Sequence, residues 1–242
     1  PMIVMDDANL DLVLDGIVWG AFGTTGQRCT ATSRLIVHEA VHDALLARLK
    51  AAAEDLTLGY GNDEDTDVGP LINQKALDKV TSYMDVAREE GATIALGGAR
   101  ATGNGLDEGY FFQPTLFTDV TGNMRVAREE IFGPVLSVIK VKSFEEAIKV
   151  ANDIKYGLSS AVYTNDVARA FRAMRDIDAG ITYINGPTIG AEAHMSFGGV
   201  KATGNGHREG GWEVYDFYTE TKTVYVDFSG GLQRAQIDNY ED

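Results

Sequence analysis

Cys29 is the single cysteine of the chain, so any thiol chemistry is its own. It follows Gly23-Thr24-Thr25-Gly26-Gln27-Arg28, where a loop runs into an apolar stretch. Three features suit a nucleophile. Glycines let a carbonyl substrate approach the backbone closely. Backbone N–H groups beside the thiol can receive a developing oxyanion. A guanidinium next door, Arg28, favours the reactive thiolate if its side chain points that way. The competing reading is an inert cysteine buried in the core.

Other constellations carry less. His38-Glu39-Ala40-Val41-His42 matches the H-E-x-x-H zinc pattern, but His38 ends a predicted strand and His42 lies in the first turn of the next helix, so one helix face does not present both rings. Asp63-Glu64-Asp65-Thr66-Asp67 resembles part of a calcium loop, yet Val68 stands where the sharp turn needs glycine and Gln74 where the loop needs glutamate. No metal is expected. The glycines of 204–210 come near a dinucleotide fingerprint but lack a preceding strand and a crossover after them. There is no phosphate-binding Gly-Lys-Ser/Thr loop and no Gly-x-Ser-x-Gly elbow. A thiol hydrolase would want a histidine by Cys29, and none is near it in sequence.

The elements that must position Cys29 follow from periodicity. Leu10, Val13, Leu14, Ile17, Val18 and Ala21 recur at helical spacing and predict a helix over 9–22, capped by Asp7 or Asn9 and ended by Gly23. Strands are expected at 32–37, 94–96, 135–141, 160–163 and 181–184, with mixed strand and turn over 113–120. Helices are expected at 39–50, 73–90, 144–152 and 166–177. Alternating strands and helices predict an α/β fold, a mostly parallel twisted sheet flanked by helices. Residues 186–211 read as irregular, and 221–228 as a half-exposed edge strand in which Thr223, Tyr225 and Asp227 alternate with Val224, Val226 and Phe228. The last twelve residues read as a polar tail. At the other end, Met2-Ile3-Val4-Met5 reads as a strand already under way, as in a piece of a longer protein.

Length and composition bound the function classes. A chain of 242 residues with 44% hydrophobic and 24% charged side chains can bury a core, which excludes collagen, a disulfide scaffold and a largely disordered chain. A formal charge of −15 makes it a poor general binder of nucleic acid or anionic membrane. No apolar run reaches membrane-spanning length, no secretory leader is visible, and one cysteine suits a reducing, cytoplasmic setting.

The run from Phe22 to Ser33, FGTTGQRCTATS, resembles the active-site cysteine signature of the NAD(P)-dependent aldehyde dehydrogenases. Three further segments agree in order and separation. They are Glu129-Glu130-Ile131-Phe132-Gly133-Pro134-Val135, the run from Tyr156 to Val162, and Ile184-Asn185-Gly186 with Phe197-Gly198-Gly199-Val200-Lys201. The resemblance covers nearly the whole chain.

It implies that Cys29 attacks an aldehyde, that hydride then leaves for NAD or NADP, and that water hydrolyses the resulting thioester. It implies that Glu130 accepts hydrogen bonds from the nicotinamide ribose and that Phe132 packs beside the nicotinamide. Phe22, Arg28, Ile189 and Phe197 would lie at the aldehyde pocket, with Arg28 favouring acidic aldehydes. Ser196 stands where the family usually has proline, which predicts a looser loop. Residues 1–220 would form the catalytic domain, and 221–242 an oligomerisation strand and tail that make the protein a homo-oligomer. The dinucleotide-binding domain, an oxyanion asparagine and the hydrolytic glutamate would precede Pro1, so the isolated chain is expected to bind cofactor weakly and not to turn over. The competing class is a non-catalytic α/β assembly module that keeps the fold.

Overall fold

The computed structural model describes residues 1–231. Strand β1 (Met2–Val4) leads into helix α1 (Leu10–Phe22), strand β2 (Arg34–His38) and helix α2 (Glu39–Glu54). Helix α3 (Gln74–Glu90) precedes strands β3 (Thr93–Leu96) and β4 (Thr115–Thr118) and the single turn α4 (Arg125–Arg128). Then come β5 (Val135–Val141), α5 (Phe144–Asn152), β6 (Tyr156–Gly157), β7 (Ser159–Tyr163) and α6 (Val167–Asp176). β8 (Ile181–Ile184), β9 (Val200–Lys201) and α7 (Glu213–Tyr218) complete the described elements.

Seven strands form one sheet in the order β3-β4-β5-β2-β1-β7-β8, and only the β3–β4 pair is antiparallel. The opening apolar run is a central strand. Met2, Ile3 and Val4 pair with Leu35, Ile36 and Val37 on one side and with Ala161, Val162 and Tyr163 on the other. Such strands are apolar throughout because helices cover both faces. Successive side chains point to opposite faces. Met2 and Val4 therefore join Val13, Ile17, Leu45 and Leu49 of α1 and α2, while Ile3 joins Phe144, Ala147 and Ala173 of α5 and α6. A third cluster packs Leu77, Val80 and Met84 of α3 against Phe112, Phe117 and Ile139.

Helix starts follow short polar side chains. Asn9 accepts from Asp11 N at 3.1 Å, Asn73 from Ala76 N at 2.9 Å, and Asp166 from Ala168 N at 2.7 Å. Gly91, at φ 86°, closes α3 in the left-handed region. His38 caps α2 through Nδ1, which accepts from Ala40 N at 3.3 Å, and the buried His42 hydrogen-bonds to Asp43. Both rings of the zinc-like pattern thus have local structural partners.

Two expectations need correction. Residues 221–228 form no strand, because no ladder among the described residues reaches them. They are exposed throughout, with Tyr225 at 94% and Phe228 at 95%. The irregular stretch 186–211 holds β9, which pairs antiparallel with β6 through Tyr156–Lys201 and Gly157–Val200. Of the expected tail, all but Gly231 lies outside the described residues. No helix among the described residues is long and apolar enough to cross a membrane.

Candidate active site

Cys29 sits between α1 and β2, on a loop fastened on both sides of it. Gly23 N donates to Trp19 O at 3.2 Å as α1 ends, and Thr25 and Gly26 take φ 58° and 64° to reverse the chain. Thr25 Oγ1 donates to Gly69 O at 3.0 Å. The Gln27 amide works at both ends: Nε2 donates to Pro70 O at 3.2 Å and Oε1 accepts from Ile72 N at 2.9 Å. Past the cysteine, Thr188 Oγ1 donates to Thr30 O at 2.7 Å and lies 2.8 Å from Thr32 Oγ1. Thr32 N donates to Gly20 O at 3.0 Å. Cys29 itself is a free, exposed thiol.

A second loop faces it, leading into β5. Glu129 is held by Arg125, whose Nη2 donates to Oε2 at 3.0 Å, and by Tyr83 Oη at 2.8 Å. These bonds keep the Glu129 carboxyl below its ordinary range, the guanidinium contributing more than the phenol. Burial first, and the Glu129 carboxylate second, push the Tyr83 phenol up to about 12. Lys79 Nζ donates to Glu130 O at 2.6 Å, and Glu90 accepts from Arg125 N at 2.8 Å, so α3 grips this loop along its length. The Glu130 carboxylate is exposed and makes no hydrogen bond among the described residues. Phe132 takes φ 62° and stays 38% exposed, a backbone cost tolerated where a ring must be presented.

The two loops touch at Gly26, where a Cβ would lie 1.9 Å from Gly133 O. Between them is a cleft lined by Arg28, Cys29, Glu129, Glu130, Phe132 and Leu158. Pro1, Ser33, Gly133 and Leu158, each shortly upstream of a parallel strand, line it as well, so the cleft lies at the amino ends of β1, β2, β5 and β7. Ligands of open parallel sheets usually lie at the carboxyl ends. Here the loops entering the strands carry the chemistry instead.

Of the expected pocket residues, only Arg28 shares this cleft. Phe22 is fully buried in the core beneath α1, because the turn of the helix that carries it faces the sheet. Ile189 is 2% exposed, next to the Thr188 that ties down the thiol loop. Phe197 lines an adjoining depression with Leu158, Thr203 and Phe217. The expected looseness at Ser196 is offset by a hydrogen bond from its hydroxyl to Glu213. Sequence reasoning missed Lys79, Tyr83, Arg125 and Thr188. The four-residue spacing of Arg125 and Glu129 on a helical turn was a readable signal for one of these contacts.

The fold is thus a mostly parallel α/β domain with one exposed thiol lining the same cleft as a carboxylate and an aromatic ring. A profile of the aldehyde dehydrogenase family matches residues 1–224. The α-ketoglutaric semialdehyde dehydrogenase of Bacillus subtilis is 41% identical over 93% of this chain, and the α-ketoglutarate semialdehyde dehydrogenase of Haloferax volcanii is 45% identical over the same share. A crystal structure of betaine aldehyde dehydrogenase from Staphylococcus aureus in complex with NAD+ superposes with a TM-score of 0.87 at 38% identity, over 90% of this chain and 43% of that one. The chain belongs to the aldehyde dehydrogenase family. It spans 46% of the length of the two curated relatives.

Proposed function

We propose that the whole protein oxidises an aldehyde to a carboxylic acid with NAD or NADP, through a covalent intermediate on Cys29. The observation that carries this is the exposed Cys29 thiol in one cleft with the Glu130 carboxylate and the Phe132 ring. The Cys29 thiolate adds to the aldehyde carbon to give a thiohemiacetal. Loss of hydride from that carbon leaves a thioester, and attack by water releases the acid and returns the thiolate. A bound nicotinamide supplies the hydride acceptor.

The donor set fits one end of such a cofactor. Glu130 has acceptor oxygens to spare for ribose hydroxyls, and the exposed ring of Phe132 offers a face to a flat heterocycle. Lys79 and α3 hold the Glu130 backbone while its carboxylate turns outward. The hydrolytic base and the rest of the dinucleotide site are assigned to residues upstream of Pro1. Residues 1–220 serve as the catalytic domain, and the isolated chain is expected to bind cofactor weakly and not to turn over. Relatives named for a semialdehyde and for betaine aldehyde are about equally similar to this chain.

The exposed segment 221–228, with Tyr225 and Phe228 bare, supports pairing with a second subunit. A monomer in solution scattering would contradict that part. The single thiol and the want of a membrane-spanning helix among the described residues support a cytoplasmic setting. Replacing Cys29→Ser in the whole enzyme tests the reaction itself. Oxidation of aldehyde should fall by about a thousandfold or more, since a hydroxyl without a dedicated base is a poor nucleophile. Activity retained within tenfold would overturn the reading.

A further inference from the structure

We propose that Thr188 is a positioning residue for Cys29, acting through a chain of two buried hydroxyls that fixes the turn carrying the thiol. The inference rests on Cys29 being the nucleophile, and it concerns what holds that nucleophile in register. Cys29 and Thr30 are the two central residues of a turn closed by Ala31 N, which donates to Arg28 O at 3.0 Å. A turn held only at its ends can rock about the line joining them and swing its central side chains. Here a central carbonyl is held as well. Thr188 Oγ1 donates to Thr30 O at 2.7 Å from the loop after β8, 158 positions along the chain. Ser159 Oγ lies 3.5 Å from the same oxygen, too far for a strong bond.

The order of protons along this chain follows from valence. A hydroxyl has one proton to give. Thr188 gives its own to Thr30 O, so in the 2.8 Å contact between the two threonine hydroxyls Thr32 donates to Thr188. Thr188 and Thr32 are 1% and 2% exposed, so solvent hardly competes for either. The bonds therefore run one way, from Thr32 through Thr188 to the residue after Cys29, and each polarises the next. Helix α1 leaves room for them at Gly20. A Cβ there would lie 2.4 Å from Thr32 Oγ1, and Gly20 O accepts from Thr32 N at 3.0 Å. Helix α1, the thiol turn and the loop after β8 thus meet at one hydroxyl pair. A displacement of about 1 Å at a reacting atom can slow chemistry about a hundredfold. The pair can therefore govern turnover without touching substrate.

The test uses the whole enzyme. Thr188→Val keeps the shape and removes the hydroxyl, whereas Thr188→Ser keeps the hydroxyl and loses a methyl. The single-turnover rate at saturating aldehyde should fall about tenfold to a hundredfold in Thr188→Val and stay within about threefold of the parent in Thr188→Ser. The half-saturating aldehyde concentration should change less than about threefold in both. Hydrogen exchange in the peptide spanning 28–32 should quicken about tenfold in Thr188→Val and not in Thr188→Ser. Thr32→Val leaves the bond to Thr30 O but removes the one behind it, and should show the same changes at about threefold. Gly20→Ala should match Thr32→Val, and the double variant should be no slower than either. Equal losses in Thr188→Val and Thr188→Ser, unchanged exchange at 28–32, or a Thr188→Val rate within about threefold of the parent would overturn the role of Thr188. Should Thr188→Val fail to fold, unchanged rate and exchange in Thr32→Val overturn it instead. Each of these failures leaves the Cys29→Ser result untouched, so loss of this inference and loss of the dehydrogenase reading are separate outcomes.

Discussion

The two loops that face each other across the cleft are held by different physics. The thiol loop is tied by neutral groups: the Gln27 amide to 70–72, Thr25 to Gly69, and Thr188 to Thr30 and Thr32. The loop of Glu130 and Phe132 is tied by charge, through Arg125–Glu129, Tyr83–Glu129 and Lys79 on a carbonyl. Neutral ties hold their geometry over a wide range of pH and salt, which would suit the nucleophilic role proposed for the thiol. Ionic ties on an exposed surface are weaker and adjustable, which would suit the cofactor contact proposed for this loop.

The largest expected effect strikes where the loops meet. Gly26→Ala puts a Cβ 1.9 Å from Gly133 O on a residue at φ 64°, a collision between two backbones that no side-chain rotation relieves. A loss of about 3 kcal/mol or more is expected in a urea titration, with altered exchange in both loops. An unchanged midpoint would show that the loops do not touch as described.

Gln27→Leu separates the two regions. It keeps most of the volume and removes two hydrogen bonds, at a cost of about 1–2 kcal/mol, with faster amide exchange confined to 69–72 and the thiol loop. Faster exchange at 129–132 as well would erase the distinction.

Tyr83→Phe is the converse, with an expected cost of about 1 kcal/mol and looser 129–132 amides around an undisturbed Cys29. The pH dependence has two limits. Glu129, depressed below its ordinary 4.5, lends stability above that value and loses it as pH falls through its lowered pKa. Tyr83, raised from 10 to about 12, lends stability that is full below 10 and gone once pH rises through 12. Exchange at 129–132 should therefore be slowest between these limits. A flat profile would contradict the ionic account.

Salt should have the smallest effect. At about 1 M, the exposed Arg125–Glu129 pair should be largely screened, with slightly faster exchange at 129–132 and no response in the thiol loop.

What the sequence disclosed divides along similar lines. Val135–Val141 and Ile181–Ile184 were legible residue for residue, because each is a short run dominated by β-branched and other apolar residues between loop signals. The helix after Asn9 was legible because cap and stripe agree. Cys29 stood out because its loop chemistry is contiguous, whereas Glu130 and Phe132 gained roles only through the family resemblance. The partners that hold them were not legible. Tyr83 meets Glu129 across 46 positions and Thr188 meets Thr30 across 158, and no local pattern encodes such contacts. That Phe22 and Ile189 are buried away from the cleft was not legible, because the direction of a side chain at a helix end or in a loop is settled by packing. The 221–228 alternation describes the chemistry of a strand, but a strand also needs a ladder, and none among the described residues reaches it.

The central claim is that Cys29 carries the acyl group during turnover. Whole enzyme mixed with aldehyde and cofactor can be quenched in acid within milliseconds, digested, and mapped by mass spectrometry. The account predicts the acyl mass on the peptide containing Cys29, removable by hydroxylamine as a thioester is. An adduct on any other residue, or turnover with Cys29 unmodified at every time point, would contradict it.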